Sequence, residues 1–307
     1  MAELLQIGGV TEAMKARLEA AFTVHSLEDH DPAKITHIIT NGHDGVKPDI
    51  MNSLPNLQAI SCYGVGYDAI DVQAAKARGV VVTHTPNVLN AEVATTAVLL
   101  MLACYREILR DDSYVRDGAW ETEGNAPLTR SADNQTVGIL GLGRIGQAIA
   151  DKLAPWNSKI IYHTRTKKDV EYTHYDNLTA MARDADVLIC ITPGGPSTNK
   201  IVNAEVMEAL GANGTLINVS RGSVVDENAL ITALQTGKLG WAGLDVFEQE
   251  PKVPQALRDH PRTVLLPHVG SGTVETRAAM GKLTVDNLLQ HLEDGKTLTP
   301  VPECADM

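Results

Sequence analysis

At 307 residues the chain is too long for one average domain and comfortable for two, and a hydrophobic content of 44% supplies real cores. A formal charge of −12, with no basic cluster able to displace counterions from a phosphate backbone, excludes nucleic acid as a partner class. The start, MAELLQIGGV, lacks the basic and apolar regions of a signal peptide, and the longest apolar run, 97–104, is too short for a bilayer, so no membrane is expected and the cytoplasm is the expected location.

The first 98 residues alternate strand and helix signals. Strands are predicted over 4–7, 36–40, 57–62 and 80–83, and helices over 11–21, with Thr11 as N-cap, 49–54 and 71–78. That order indicates a parallel sheet with helices on its faces. The third strand runs into Gly64-Val65-Gly66. From Asn90 to about Val115 the spacing predicts one long helix whose middle, AVLLMLACY, is apolar on every side. Such a helix has to be covered all round, by its own domain on one side and by a second domain or a second subunit on the other. Residues 117–134 are polar apart from Trp120 and read as a loop.

Residues 136–165, TVGILGLGRIGQAIADKLAPWNSKIIYHTR, then give strand, glycine turn, helix, strand. Gly141, Gly143 and Gly146 form G-x-G-x-x-G in the context where it means dinucleotide binding: a tight turn, close approach of backbone to a pyrophosphate, and close packing of helix on strand. The helix N-terminus then meets the anion with its N–H groups and dipole. An NAD site usually places an acid about 20 residues past the glycines, on the ribose hydroxyls. Here that place holds Thr164, Arg165, Thr166, Lys167 and Lys168, with no carboxylate before Asp169. A 2′-phosphate would be attracted by this cluster and repelled by an acid, so the expected cofactor is NADP(H).

Further strands are predicted over 186–192, 214–220, 241–247 and 263–266, making one long doubly wound sheet with its ligand at the carboxyl ends. A last helix runs from the Thr273 N-cap to about 293, with Gly295 beyond its end. Four scattered cysteines (Cys62, Cys104, Cys190, Cys304) show no metal-ligand spacing; the first three fall in apolar runs and read as reduced core residues, and no metal is expected.

Three strand ends deliver Arg221-Gly222, then Glu248-Gln249-Glu250-Pro251, then Pro267-His268-Val269-Gly270-Ser271. Each alone is a common surface feature, whereas their arrival at one edge suits reduction of a 2-keto acid. Arg221 has the planar fork for a carboxylate and a cation to polarise the carbonyl. His268 can supply a proton near neutral pH, and Glu250 on its other ring nitrogen would orient it and favour the charged ring.

GLGRIG at 141–146, NVSRGSVVDE at 218–227, GLDVFEQEP at 243–251 and LPHVGSGT at 266–273 together resemble the D-isomer-specific 2-hydroxyacid dehydrogenase family, in its glyoxylate/hydroxypyruvate reductase-like branch, over essentially the whole chain. The resemblance implies Arg221, Glu250 and His268 as the catalytic set, and Val65 and Gly66, with Arg221, as contacts of the substrate carboxylate. It places Asp245 on the nicotinamide carboxamide. The cofactor set becomes Gly141, Leu142, Gly143, Arg144, Ile145, Gly146, Thr164, Arg165, Thr166, Val219, Asp245, Gly270 and Ser271. It further implies two Rossmann-like α/β domains, doubly wound with parallel sheets and an active-site cleft between them: a discontinuous substrate domain, 1–98 plus 273–307, and a dinucleotide domain, 99–272. A homodimer through the helix at 90–115 is expected as well.

The expected activity is NADPH-dependent reduction of glyoxylate and hydroxypyruvate to the D-hydroxy acid. Rivals are the same chemistry on hydroxyphenylpyruvate or a sugar acid, with Tyr63 and Trp120 as candidates for shaping the pocket, and a cofactor-sensing co-repressor-like protein on the same fold.

Overall fold

Strand–helix alternation resolves into two separate parallel sheets in the computed structural model, which describes residues 1–307. The chain divides into one unit of Met1–Leu89 with Thr273–Met307 and another of Asn90–Gly272.

The first unit begins with β1 (Ala2–Gln6), α1 (Glu12–Ala21), β2 (Phe22–His25) and β3 (Ile35–Asn41). It continues with α2 (Pro48–Ser53), β4 (Ala59–Tyr63), α3 (Val72–Ala77) and β5 (Val81–Thr83). All strand pairs are parallel, in the order β2-β1-β3-β4-β5. Side chains alternate across a strand, so neighbours feed opposite cores. Leu5 and Ile38 join Met51, Leu54 and Ala75 on one face, while Leu4 and Ile39 join Met14, Leu18 and Leu288 on the other. Thr11 and Asp71 cap α1 and α3 by accepting the N–H groups of Met14 and Ala74.

The second unit holds α4 (Asn90–Tyr105), α5 (Ile108–Arg116), α6 (Ala119–Glu123), β6 (Thr136–Leu140), α7 (Arg144–Leu153), β7 (Lys159–His163) and β8 (Thr173–His174). There follow α8 (Leu178–Asp184), β9 (Val187–Cys190), α9 (Ala204–Leu210), β10 (Thr215–Asn218), α10 (Glu227–Gln235), β11 (Trp241–Leu244), α11 (Gln255–Arg258) and β12 (Thr263–Leu265). Its seven parallel strands run β12-β11-β10-β9-β6-β7-β8, the doubly wound order with one strand appended, and the order of winding reverses between β6 and β9. The chain returns to the first unit through α12 (Val274–Asp294), capped by Thr273 and closed by Gly295 at a φ of 76°.

Three expectations need correction. The division falls at 89/90, not 98/99, because α4 packs along α7 and strands β10 to β12 and goes whole with the second unit. The long helix is two: Glu107 takes a left-handed φ of 42° and separates α4 from α5. Most of α4 is buried, and Leu99 on it is exposed. The stretch 117–134 contains α6, started by Gly118. Strands β2 and β8 went unpredicted: β2 follows α1 without a turn residue, and β8 has only two residues. All four cysteines are buried free thiols, and no helix is long and apolar enough to cross a membrane.

Candidate active site

In the second unit, Gly141 follows β6 at a φ of 104°, where a Cβ would lie 2.8 Å from the Thr192 backbone nitrogen. A Cβ on Gly146 would meet the Gly141 carbonyl at 2.4 Å, so this glycine lets α7 lie against the turn. Gly143 is the N-cap of α7 and supplies no side-chain acceptor, whereas the caps of α8, α9 and α10 (Asn177, Asn203, Asp226) each accept an N–H of their own helix. Nothing lies within 4 Å of the place a Gly143 Cβ would take. Leu142 is buried beneath the turn, Ile145 is half-buried and Arg144 is exposed. An uncapped helix N-terminus below an open glycine is a fit for a pyrophosphate.

Beside it, Leu140 pairs with His163 at the end of β7, and the Gly141 N–H donates to the His163 carbonyl. The following loop folds back on itself: the Thr164 hydroxyl donates to the Thr166 carbonyl at 2.8 Å, and the Lys168 N–H donates to the Tyr162 hydroxyl at 2.9 Å. Arg165, Thr166, Lys167 and Lys168 are exposed. The cationic loop and the glycine turn thus leave adjacent strands at the same edge.

The three catalytic candidates come from the ends of β10, β11 and β12. After β10, buried Asn218 ties a turn together: its Oδ1 accepts from the Ser220 N–H and hydroxyl, and its Nδ2 donates to the Arg221 carbonyl. Val219 is buried in this turn, its N–H donating to the Cys190 carbonyl. A Cβ on Gly222 would fall 1.9 Å from the Phe247 carbonyl group, so only glycine lets the Arg221 turn lie against the loop after β11. In that loop the Phe247 N–H donates to Glu250 Oε1 at 3.0 Å, and Glu250 Oε2 lies 2.7 Å from His268 Nδ1. The Glu250–Pro251 peptide is cis.

His268 takes a left-handed φ of 53°, uncommon for a residue with a side chain. Asp245 holds it there. The His268 N–H donates to the Asp245 carbonyl at 2.9 Å, and the Val269 and Gly270 N–H groups donate to its Oδ1 and Oδ2 at 2.7 and 2.8 Å. Burial pushes the Asp245 carboxyl above its ordinary range, against the opposing effect of those two backbone bonds. A Cβ on Gly270 would press to 2.9 Å from Asp245 Oδ2, and half-buried Ser271 follows it. This clamp was not foreseen, because the loop it grips is 23 to 25 residues downstream.

Two further residues escaped the sequence. Glu227 Oε2 accepts the Glu248 N–H at 3.2 Å, and Lys200 Nζ reaches Glu248 Oε1 at 3.2 Å. Burial raises the Glu227 carboxyl. Together they brace the loop that carries Glu250; Glu227 closes the 218–227 motif without its role being visible there, and Lys200 lies in no motif.

Val65 and Gly66 belong to the first unit, in the half-buried turn after β4. Tyr63 donates its hydroxyl to the Arg277 carbonyl at 3.1 Å, a packing role, while Trp120 is 60% exposed.

Residues 98–270, more than half of the chain, match the family model for "D-isomer specific 2-hydroxyacid dehydrogenase, NAD binding domain". The chain is 46% identical to glyoxylate/hydroxypyruvate reductase A of Arabidopsis thaliana, over 90% of this chain and 88% of the relative. It is 42% identical to the 2-ketogluconate reductase of Gluconobacter oxydans, over 97% and 98%. Among solved structures, an NADPH-dependent glyoxylate/hydroxypyruvate reductase from Sinorhizobium meliloti, in complex with NADP and malonate, matches with a TM-score of 0.93 and 45% identity, covering 98% of this chain and 97% of that one. With a carboxylate–histidine pair and an arginine turn on the loops after β10 to β12 of a doubly wound sheet, and such relatives along its whole length, the chain belongs to the D-isomer-specific 2-hydroxyacid dehydrogenases, a family of oxidoreductases with a nicotinamide-dinucleotide domain.

Proposed function

We propose that this protein reduces small 2-keto acids, glyoxylate and hydroxypyruvate first, to D-2-hydroxy acids with NADPH. The observation that carries the reading is the 2.7 Å contact between Glu250 and His268 beside the Arg221 turn. When bound, the reduced nicotinamide supplies the hydride for the carbonyl carbon. Arg221 holds the substrate carboxylate through its guanidinium and polarises the carbonyl. His268, its Nδ1 engaged by Glu250, delivers the proton from Nε2 to the carbonyl oxygen. Asp245, which holds the loop, would also contact the carboxamide, and Gly141 to Gly146 would hold the pyrophosphate. We assign the first unit, through Val65 and Gly66, to the substrate and the second to the cofactor.

Preference for NADPH is supported by exposed Arg165 and Lys167 where an NAD site would carry an acid, and by the NADP bound to the Sinorhizobium meliloti relative. A homodimer is supported by Leu99, Ile108, Leu109, Val115, Trp120 and Leu128, apolar side chains exposed within one segment of the second unit. Four free thiols support a reducing compartment, the cytoplasm.

A second reading, a sugar-acid substrate, is favoured by the Gluconobacter oxydans relative, which matches nearly end to end. Initial rates with glyoxylate, hydroxypyruvate, hydroxyphenylpyruvate and 2-ketogluconate, each with NADPH and NADH, separate the two. The proposal requires the highest kcat/KM for glyoxylate or hydroxypyruvate with NADPH; a maximum at 2-ketogluconate replaces the substrate, and no turnover removes the activity.

A further inference from the structure

The Gly64-Val65-Gly66 turn of the first unit is held by its carbonyls. The Thr85 N–H donates to the Gly64 carbonyl at 2.8 Å, and His84 Nδ1 lies 2.9 Å from the Val65 carbonyl. A carbonyl oxygen only accepts, so Nδ1 carries the proton in that bond. In a planar trans peptide the C=O and N–H point in opposite directions. Fixing the Gly64 and Val65 carbonyls against the segment after β5 therefore aims the Val65 and Gly66 N–H groups away from that segment, side by side. No backbone carbonyl takes either of them.

The ring that makes the second bond is itself oriented. His84 is nearly buried; its N–H donates to the Thr299 carbonyl, and its own carbonyl accepts the Thr299 hydroxyl at 2.6 Å. Asn287 on α12 grips the same segment, accepting the Leu298 and Thr299 N–H groups. The Tyr67 ring stands edge-on to His84 at 5.3 Å and donates its hydroxyl to Glu303 at 3.1 Å. The segment around Thr299 thus fixes the His84 backbone, Tyr67 stands against its ring, and the ring holds the peptide.

We infer that His84 is a positioning residue that presets the Val65 and Gly66 N–H groups to receive the substrate carboxylate. The inference rests on the keto-acid reading above. A pair of parallel N–H donors fixed before binding loses little freedom when the anion arrives, whereas a free peptide has to be oriented by the ligand itself. The bond is made by a side chain, so it can be removed without touching the turn.

The test is steady-state kinetics with glyoxylate and NADPH on the full chain. His84→Phe keeps a ring against Tyr67 and has no donor; His84→Leu is a second variant without a donor, so the comparison survives if either fails to fold. His84→Asn restores an N–H on a shorter arm. Both donorless variants should raise KM for glyoxylate roughly 10-fold, the effect of one lost hydrogen bond, with a smaller change in kcat and an unchanged KM for NADPH. His84→Asn should recover part of the loss. Wild-type KM for glyoxylate in a folded donorless variant overturns the inference and leaves the functional reading standing, as does an equal loss in all three constants. A wild-type enzyme inert toward every 2-keto acid overturns the functional reading and this inference with it.

Discussion

Glu250 and His268 meet at 2.7 Å through Oε2 and Nδ1, and the other oxygen of the same carboxylate accepts the Phe247 N–H. One side chain therefore shapes its own loop and orients the ring on the next. The pair is unequally exposed, with 17% of the glutamate side chain accessible and 43% of the histidine, so the imidazole keeps an open face while its orienting partner is shielded. The left-handed backbone of His268 is fixed separately, by Asp245.

His268→Ala should lower kcat by about 10² to 10⁴, the usual worth of a positioned proton donor, while NADPH affinity measured by fluorescence titration stays unchanged. Glu250→Gln should be milder. Its amide can accept from only one of the two N–H donors that the carboxylate serves, and it brings an N–H against the other. A fall in kcat of roughly 10-fold is expected; wild-type kcat in Glu250→Gln would show that another group orients the ring.

Arg221→Lys should lose about 10² or more in kcat/KM, because an ammonium point charge does not replace the planar fork. A steady-state assay decides it. Near-normal kcat/KM in this variant would place Arg221 outside the chemistry and favour a cofactor-sensing protein.

Asp245→Asn should disturb the His268 loop. Both carboxylate oxygens accept backbone N–H groups, and an amide can accept at only one of those positions. A buried donor left facing another donor costs about 1 to 3 kcal/mol. A lower midpoint in urea, together with reduced kcat, is expected; an unaltered midpoint would mean that the loop is held by other contacts.

Arg165→Ala should raise KM for NADPH and leave KM for NADH nearly unchanged, since only the 2′-phosphate is expected to meet the guanidinium. Equal kcat/KM for the two cofactors in the unmutated enzyme would refute the assignment of this loop.

His37 gives the stability a pH dependence. Its Nε2 lies 3.0 Å from His291 Nδ1, and burial, with a lesser contribution from His291, lowers its pKa from 6.5 to about 4. The unfolded chain takes up the proton first as pH falls. Stability is therefore complete above the unfolded value, is lost from about pH 6.5 down to about 4, and is lost no further by this group below that. The loss is on the order of 3 kcal/mol. Urea midpoints across that range should fall more steeply in the wild type than in His37→Asn; parallel curves would contradict it.

Periodicity and punctuation determined the fold class. Runs such as ITHIITN and TVGIL are short, apolar and β-branched, and the glycine fingerprint is local, so both are legible within a few residues. Arg221, Glu250 and His268 were singled out for the same reason, each standing on a loop that follows a strand. Strand order, the break at Glu107 and the allotment of α4 to the second unit were decided by packing, which no local window contains. So were the partners that hold the loops carrying Arg221, Glu250 and His268: Asp245 under residues 268–270, Gly222 against Phe247, and Glu227 and Lys200 around Glu248. Those contacts join residues about 20 or more apart in sequence and depend on hydrogen bonds that exist only once parallel strands have brought their ends to one edge.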